Sequence, residues 1–134
     1  MKQTGADNFY TSEDEILALY DFVIEASGSK KGSEGAFRKI ARGGTLLILG
    51  YIGHEVSIPV VIDDVVNGDF SIFASFGATT VAWKRTVELF NTKKLDLTFL
   101  ATHRYPLADW ERALDALKTA PAPRGKVLML PQGE

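Results

Sequence analysis

Apolar residues along the chain fall into two alternating patterns, short dense runs and stripes at helical spacing. Residues 8–11 (NFYT) make a first short candidate strand. Ser12 with Glu15 three positions later is a capping-box pattern, and Ile16, Leu17 and Leu19 follow as an apolar stripe. That spacing predicts a helix over 13–19. Residues 21–26 (DFVIEA) are a dense run of β-formers that stops at Ser27 and Gly28. Residues 33–41 read as a helix with Ala36, Phe37 and Ile40 on one face and Gly43 and Gly44 as its stop. The next run, 45–49 (TLLIL), is apolar on consecutive positions, as a parallel strand buried on both faces requires. Strand, helix and strand with short connections make a βαβ unit with a right-handed crossover.

Further on, Pro59 opens a short helix through Val66 that Asn67 and Gly68 end, and residues 69–76 read as a strand. Residues 80–92 suit a helix with Trp83, Val87 and Phe90 in register, and 98–103 a strand. A helix over 107–118 turns Trp110, Ala113, Leu114 and Leu117 inward, and 126–130 closes as a strand. The alternation predicts an α/β fold, a parallel sheet with helices on both faces, in a single domain over 1–134. The one linker-like stretch, Thr119 to Gly125, reads as a loop inside that domain.

Composition narrows the function classes. A chain of 134 residues suits one hydrophobic core. With no cysteine, disulfides, thiolate zinc sites, iron–sulfur clusters and cysteine nucleophiles are excluded. Fifteen Lys plus Arg against seventeen Asp plus Glu give a net charge of −2 with the signs interspersed. That balance offers no footprint for nucleic acid or an anionic membrane. The longest apolar runs fall far short of the ~20 residues that span a bilayer, and residues 1–20 lack a secretory pattern. The expectation is a cytoplasmic protein with no nucleic-acid or membrane partner.

Candidate chemistry sits where strands end. Three of the strand ends carry small or glycine-containing turns: Ala26-Ser27-Gly28, Gly50-Tyr51-Ile52-Gly53 and Phe76-Gly77-Ala78-Thr79. In open α/β sheets ligands lie outside the carboxyl ends of the strands, where bare backbone approaches them closely, so the set suits an extended ligand such as a nucleotide cofactor. The same glycines serve equally to make ordinary turns. No G-x-G-x-x-G, no G-x-x-x-x-G-K-[ST] and no G-x-S-x-G occurs. A zinc site from His54, His103 and a carboxylate is disfavoured, since the chain holds two histidines and no cysteine. His103 reads as a strand-end residue rather than a general acid or base. Glu25, inside an apolar strand, is either hydrogen-bonded across the sheet or turned to the cleft, and the structural role is preferred. Trp83 and Trp110 read as packing residues.

Two blocks, Asp21-Phe-Val-Ile-Glu-Ala-Ser-Gly28 and Phe37-Arg-Lys-Ile-Ala-Arg-Gly-Gly-Thr-Leu-Leu-Ile-Leu-Gly50, resemble the medium-chain dehydrogenase/reductase superfamily. So do Thr102-His-Arg-Tyr-Pro-Leu107, the following helix with Trp110, Ala113 and Leu117, and Gly125-Lys-Val-Leu-Met-Leu130. The likeness is to the zinc-dependent alcohol, sorbitol and threonine dehydrogenase branch. It runs from about Thr4 onward and concerns the C-terminal part of such an enzyme. The implied fold is a partial Rossmann-like parallel sheet, the C-terminal half of the cofactor domain, with C-terminal helices and a strand that would dock on a missing N-terminal catalytic domain. Family members hold their zinc in that GroES-like catalytic domain and bind pyrophosphate on a glycine-rich turn. Both are expected to lie outside this chain, which then has no metal ligands and no catalytic residue of its own.

The resemblance implies NAD or NADP as cofactor and assigns roles residue by residue. Ala26 and Ser27 match the turn beside the cofactor. Leu49, Gly50 and Tyr51 match the turn whose backbone meets the nicotinamide carboxamide, and Phe76 and Gly77 match a further turn near the nicotinamide. Lys126 matches a basic position that approaches the pyrophosphate. The segment 56–60, from Val56 to Val60, matches the one through which such enzymes form a homo-dimer. The expected function is to hold the nicotinamide for hydride transfer in an alcohol or polyol dehydrogenase, with no activity alone. The alternative is a stand-alone, non-catalytic binding or assembly module that pairs with a separate catalytic half.

Overall fold

The computed structural model describes residues 5–121 and 124–131, and the chain forms two compact units, Met1–Ala78 and Thr79–Glu134. The first unit holds a 3-10 turn at Glu13–Glu15, then β1 (Tyr20–Glu25), α1 (Lys30–Arg38), β2 (Ile40–Ile48), α2 (Ile62–Asn67) and β3 (Ser71–Ala74). Its strands pair in the order β1-β2-β3, all parallel. Register sets Val23 beside Leu46 and Leu46 beside Ile72, and sets Glu25 beside Ile48 and Ile48 beside Ala74.

Helix α1 starts where Ser29 Oγ accepts from the Gly32 N–H at 3.0 Å, an N-cap that satisfies one orphan donor of the first turn. It therefore begins three residues before the predicted Ser33 and ends at Arg38. Its Ala36 packs with Ile40 and Leu46, and Val23, Phe37, Ile48 and Phe70 close the cluster. Leu46 is 0 % exposed, the best-buried large side chain of the described residues. On the opposite face Phe22 and Phe73 remain 57 % and 59 % exposed. Leu47 of β2 is only half-buried, so burial of that strand on both faces is not what this unit builds.

Several local expectations need correction. Residues 8–11 form no strand. The helix predicted over 13–19 is one 3-10 turn: Ser12 Oγ accepts from Asp14 N, and at Ile16 the backbone is already extended (φ −88°, ψ 102°). Tertiary bonds end it, because Glu13 pairs with Arg38 and the Ile16 carbonyl accepts from Lys39 Nζ at 2.6 Å. Helix α2 starts at Ile62, not at Pro59, after the extended Val61.

The second unit holds α3 (Thr80–Asn91), a 3-10 turn at Thr98–Leu100, β4 (Ala101–Pro106), a 3-10 turn at Leu107–Asp109, α4 (Trp110–Thr119) and β5 (Lys126–Leu130). Strands β4 and β5 pair in parallel. The predicted strand start at Thr98 is displaced because Asp96 Oδ1 accepts from the Thr98 N–H and hydroxyl at 2.9 and 2.7 Å, which winds a turn there first. Ala113 and Ala116 are the buried residues of α4, while Leu114, Leu117 and Trp110 stay exposed. Trp83 is 62 % exposed, and α3 has no buried residue. The packing role expected of both tryptophans is not met within this unit, whose own elements leave Trp83 and Trp110 exposed.

Candidate functional site

Because β1, β2 and β3 run parallel and in register at Glu25, Ile48 and Ala74, their carboxyl ends deliver three turns side by side. Ala26 and Ser27 leave β1, Leu49, Gly50 and Tyr51 leave β2, and Phe76 and Gly77 follow β3. The first two turns are bonded through backbone: Leu49 N and Gly50 N both donate to the Glu25 carbonyl, at 2.8 and 3.1 Å. Ser75 N donates to the Ile48 carbonyl at 3.1 Å.

Two glycines make that approach feasible. Gly28 has φ +61°, and a Cβ there would stand 3.1 Å from the Tyr51 carbonyl oxygen. A Cβ at Gly50 would collide with Glu25 Oε2 and stand 2.6 Å from Gly28 N. Glu25 is 4 % exposed. Its Oε1 accepts from the Ser27 N–H at 2.8 Å and from the Ser27 hydroxyl at 2.5 Å. Its Oε2 is buried with no hydrogen-bond partner among the described residues. The carboxylate is structural, as expected, but it bonds its own turn and not a neighbouring strand. The second and third turns meet through the Tyr51 and Phe76 rings, whose centroids lie 6.0 Å apart at 55°. Phe76 is 91 % exposed.

The structure thus brings Ala26, Ser27, Leu49, Gly50, Tyr51, Phe76 and Gly77 to one edge of the first unit. Lys126 opens β5 in the second unit, exposed, its carbonyl accepting from Thr102 Oγ1 at 3.5 Å. Val56 is exposed in the loop before α2. Gly28 belongs to a turn the sequence singles out, but it has no assigned cofactor contact, and the bond of Glu25 to its own turn is not the cross-sheet bond expected of it. The signal was present as a glutamate, a serine two residues on and a glycine next to it, at the end of an apolar strand.

A nicotinamide group fits this edge. Its carboxamide needs backbone donors and acceptors, and the N–H groups of Tyr51, Phe76 and Gly77 have no hydrogen-bond partner among the described residues. At Gly50 the space a Cβ would need is taken by Glu25 Oε2 and Gly28 N, so this glycine serves the close approach of the first two turns. Zinc does not fit: among the described residues no group of three or more His, Cys, Asp or Glu gathers. His103 Nδ1 lies 2.9 Å from its neighbour Thr102 Oγ1, and His54 is exposed beside Gly53. No described helix is long and apolar enough to cross a membrane.

No family model matches the chain. Among curated proteins it is similar to a sorbitol dehydrogenase of Halalkalibacterium halodurans, 25 % identical over 111 residues, 83 % of this chain and 32 % of the relative. An L-threonine 3-dehydrogenase of Bacillus subtilis is 27 % identical over 112 residues, 83 % of this chain and 31 % of the relative. Among solved structures, a thermostable alcohol dehydrogenase from Pyrobaculum aerophilum superposes with a TM-score of 0.80 at 23 % identity, over 97 % of this chain and 38 % of that one. A short chain alcohol dehydrogenase from E. coli, complexed with NADH, gives 0.81 at 17 % identity over 96 % and 40 %. The chain spans about a third of the length of the curated relatives it matches. In sequence the chain is thus similar to about a third of sorbitol and threonine dehydrogenases, and its fold is that of the matching part of solved alcohol dehydrogenases.

Proposed function

We propose that this chain is the C-terminal cofactor-binding part of an NAD- or NADP-dependent alcohol or polyol dehydrogenase of the cytoplasm, and that the ends of β1, β2 and β3 hold the nicotinamide. The observation that carries this reading is the alignment of three strand ends whose turns keep bare backbone and unclaimed N–H groups. When bound, the cofactor supplies the hydride chemistry. The chain's own part is positioning. The N–H groups of Tyr51, Phe76 and Gly77 and the carbonyls of Leu49 and Gly50 would fix the carboxamide and so the face of the ring, and the Tyr51 and Phe76 rings would form an apolar wall against it. Ala26 and Ser27, which line a groove along β1, flank the cofactor. The charge of Lys126 suits a pyrophosphate, a role that rests on the resemblance alone.

The described residues offer no Lewis acid and no proton relay, so the chain alone is catalytically silent in this reading. Its partners are an N-terminal catalytic domain and a second copy engaged through Val56 to Val60. The alternative, an assembly module that completes a separate catalytic half, draws support from the open edge of β1 and the exposed Phe22, Ile24 and Phe73.

Titrating NADH fluorescence with the chain tests the first reading. Enhancement is expected with a Kd no tighter than about millimolar, because the sequence holds no G-x-G-x-x-G turn to take the pyrophosphate. No enhancement at saturating protein would count against the cofactor role. Micromolar binding would favour a self-sufficient module.

A further inference from the structure

Resting on the cofactor reading, we infer that Glu25 is the positioning residue of this site, a buried carboxylate that sets the geometry of the first two turns. The neighbours that share its face of the sheet, Val23 and Ile48, are apolar. Packing alone would therefore be served by an aliphatic side chain, without the desolvation cost of a carboxylate. The glutamate does two things that an aliphatic residue does not. Its Oε1 takes both the N–H and the hydroxyl of Ser27, at 2.8 and 2.5 Å, and charge-assisted bonds of this kind fix a turn more firmly than neutral ones. Its Oε2 stands against Gly50, where a Cβ would collide with it.

Glu25 also lines a cavity of about 140 Å³ together with Ser33, Phe37, Leu46, Ile52 and Ile58. Glu25 thus couples Ser27 and Gly28 to Gly50 and Tyr51, the residues assigned to the nicotinamide, without itself touching the ligand.

The test is the amide spectrum of the chain, recorded with and without NADH, for the wild type, Glu25→Ala, Glu25→Gln and Ser27→Ala. Glu25→Ala is expected to move the Ser27, Gly28, Gly50 and Tyr51 resonances and weaken NADH binding about tenfold. Glu25→Gln keeps an acceptor for Ser27 and should recover affinity to within about threefold of the wild type. Ile40→Ala, in the core and away from that cavity, serves as a structural control that lowers stability and leaves the affinity of the folded chain unchanged. Unmoved Gly50 and Tyr51 resonances with wild-type affinity in Glu25→Ala would overturn the inference. Should that variant not fold, Ser27→Ala decides by the same two readouts, since Ser27 is exposed and its hydroxyl is half of the clamp. If the wild type shows no response to NADH, the cofactor reading falls, and the Gly50 and Tyr51 shifts still decide the clamp.

Discussion

The two faces of the three-stranded sheet carry similar side chains and meet different fates. On one, Val23, Leu46 and Ile48 lie under α1, and Leu46 is fully buried. On the other, Ile24, Leu47 and Phe73 stand in one cross-strand row, and Ile24 and Phe73 remain more than half exposed. The chemistry of the strands is nearly the same, so the difference comes from what packs on them. A capped helix follows β1 after a short turn and folds back onto that face. A strand's apolar pattern states which residues gain from burial, and only the neighbouring elements decide whether they get it.

The sharpest way to break this comparison is to truncate one residue on each face. Leu46→Ala should lower the unfolding free energy in urea by about 3 kcal/mol, whereas Phe73→Ala should cost less than about 1 kcal/mol. Equal losses would mean that the exposed face is covered in solution. Gly50→Ala forces a methyl group against Glu25 Oε2 and Gly28 N. A cost of about 2 kcal/mol is expected, with loss of the NADH response. Wild-type stability and binding would show that the two turns are not held as tightly as the geometry says. Ser29→Ala removes the cap that seats α1 and should cost about 1 kcal/mol in the same unfolding assay.

The smallest effect lies in the second unit. The Thr98 hydroxyl and then its N–H hold the Asp96 carboxyl below the usual carboxylate range. A depressed carboxylate contributes stability above its unfolded value of about 3.9, and that contribution is lost as pH falls through the lower folded value. Thr98→Ala should return the Asp96 titration, followed by NMR, toward the ordinary value, and an unchanged midpoint would remove the cause assigned here.

Much of the fold was legible in the chain. The alternation of β-former runs and helical stripes located β1, β5, α3, α4 and the second half of β2, because period and turn residues are local properties, while residues 40–44, expected as helix end and stop, open β2. Residues 13–19 were misread because a capping box starts a helix without sustaining one, and the ion pair of Glu13 with Arg38 is a contact across 25 residues that no local pattern reveals. Trp83 and Leu117 were misread for the converse reason: periodicity orders a stripe without supplying its cover. Within the site, the glycine turns were legible as bare backbone. The role of Glu25 was not, since it depends on which way one carboxylate folds over a turn two residues away.

The most direct test of the central claim, that the carboxyl ends of β1, β2 and β3 hold the nicotinamide, is to map NADH onto the wild-type amide spectrum at millimolar cofactor. The amides of Leu49, Gly50, Tyr51, Phe76 and Gly77 are expected to move together along one binding curve while residues of β4 and α4 stay fixed. Shifts that avoid those five amides, or none at all at saturating NADH, would contradict it.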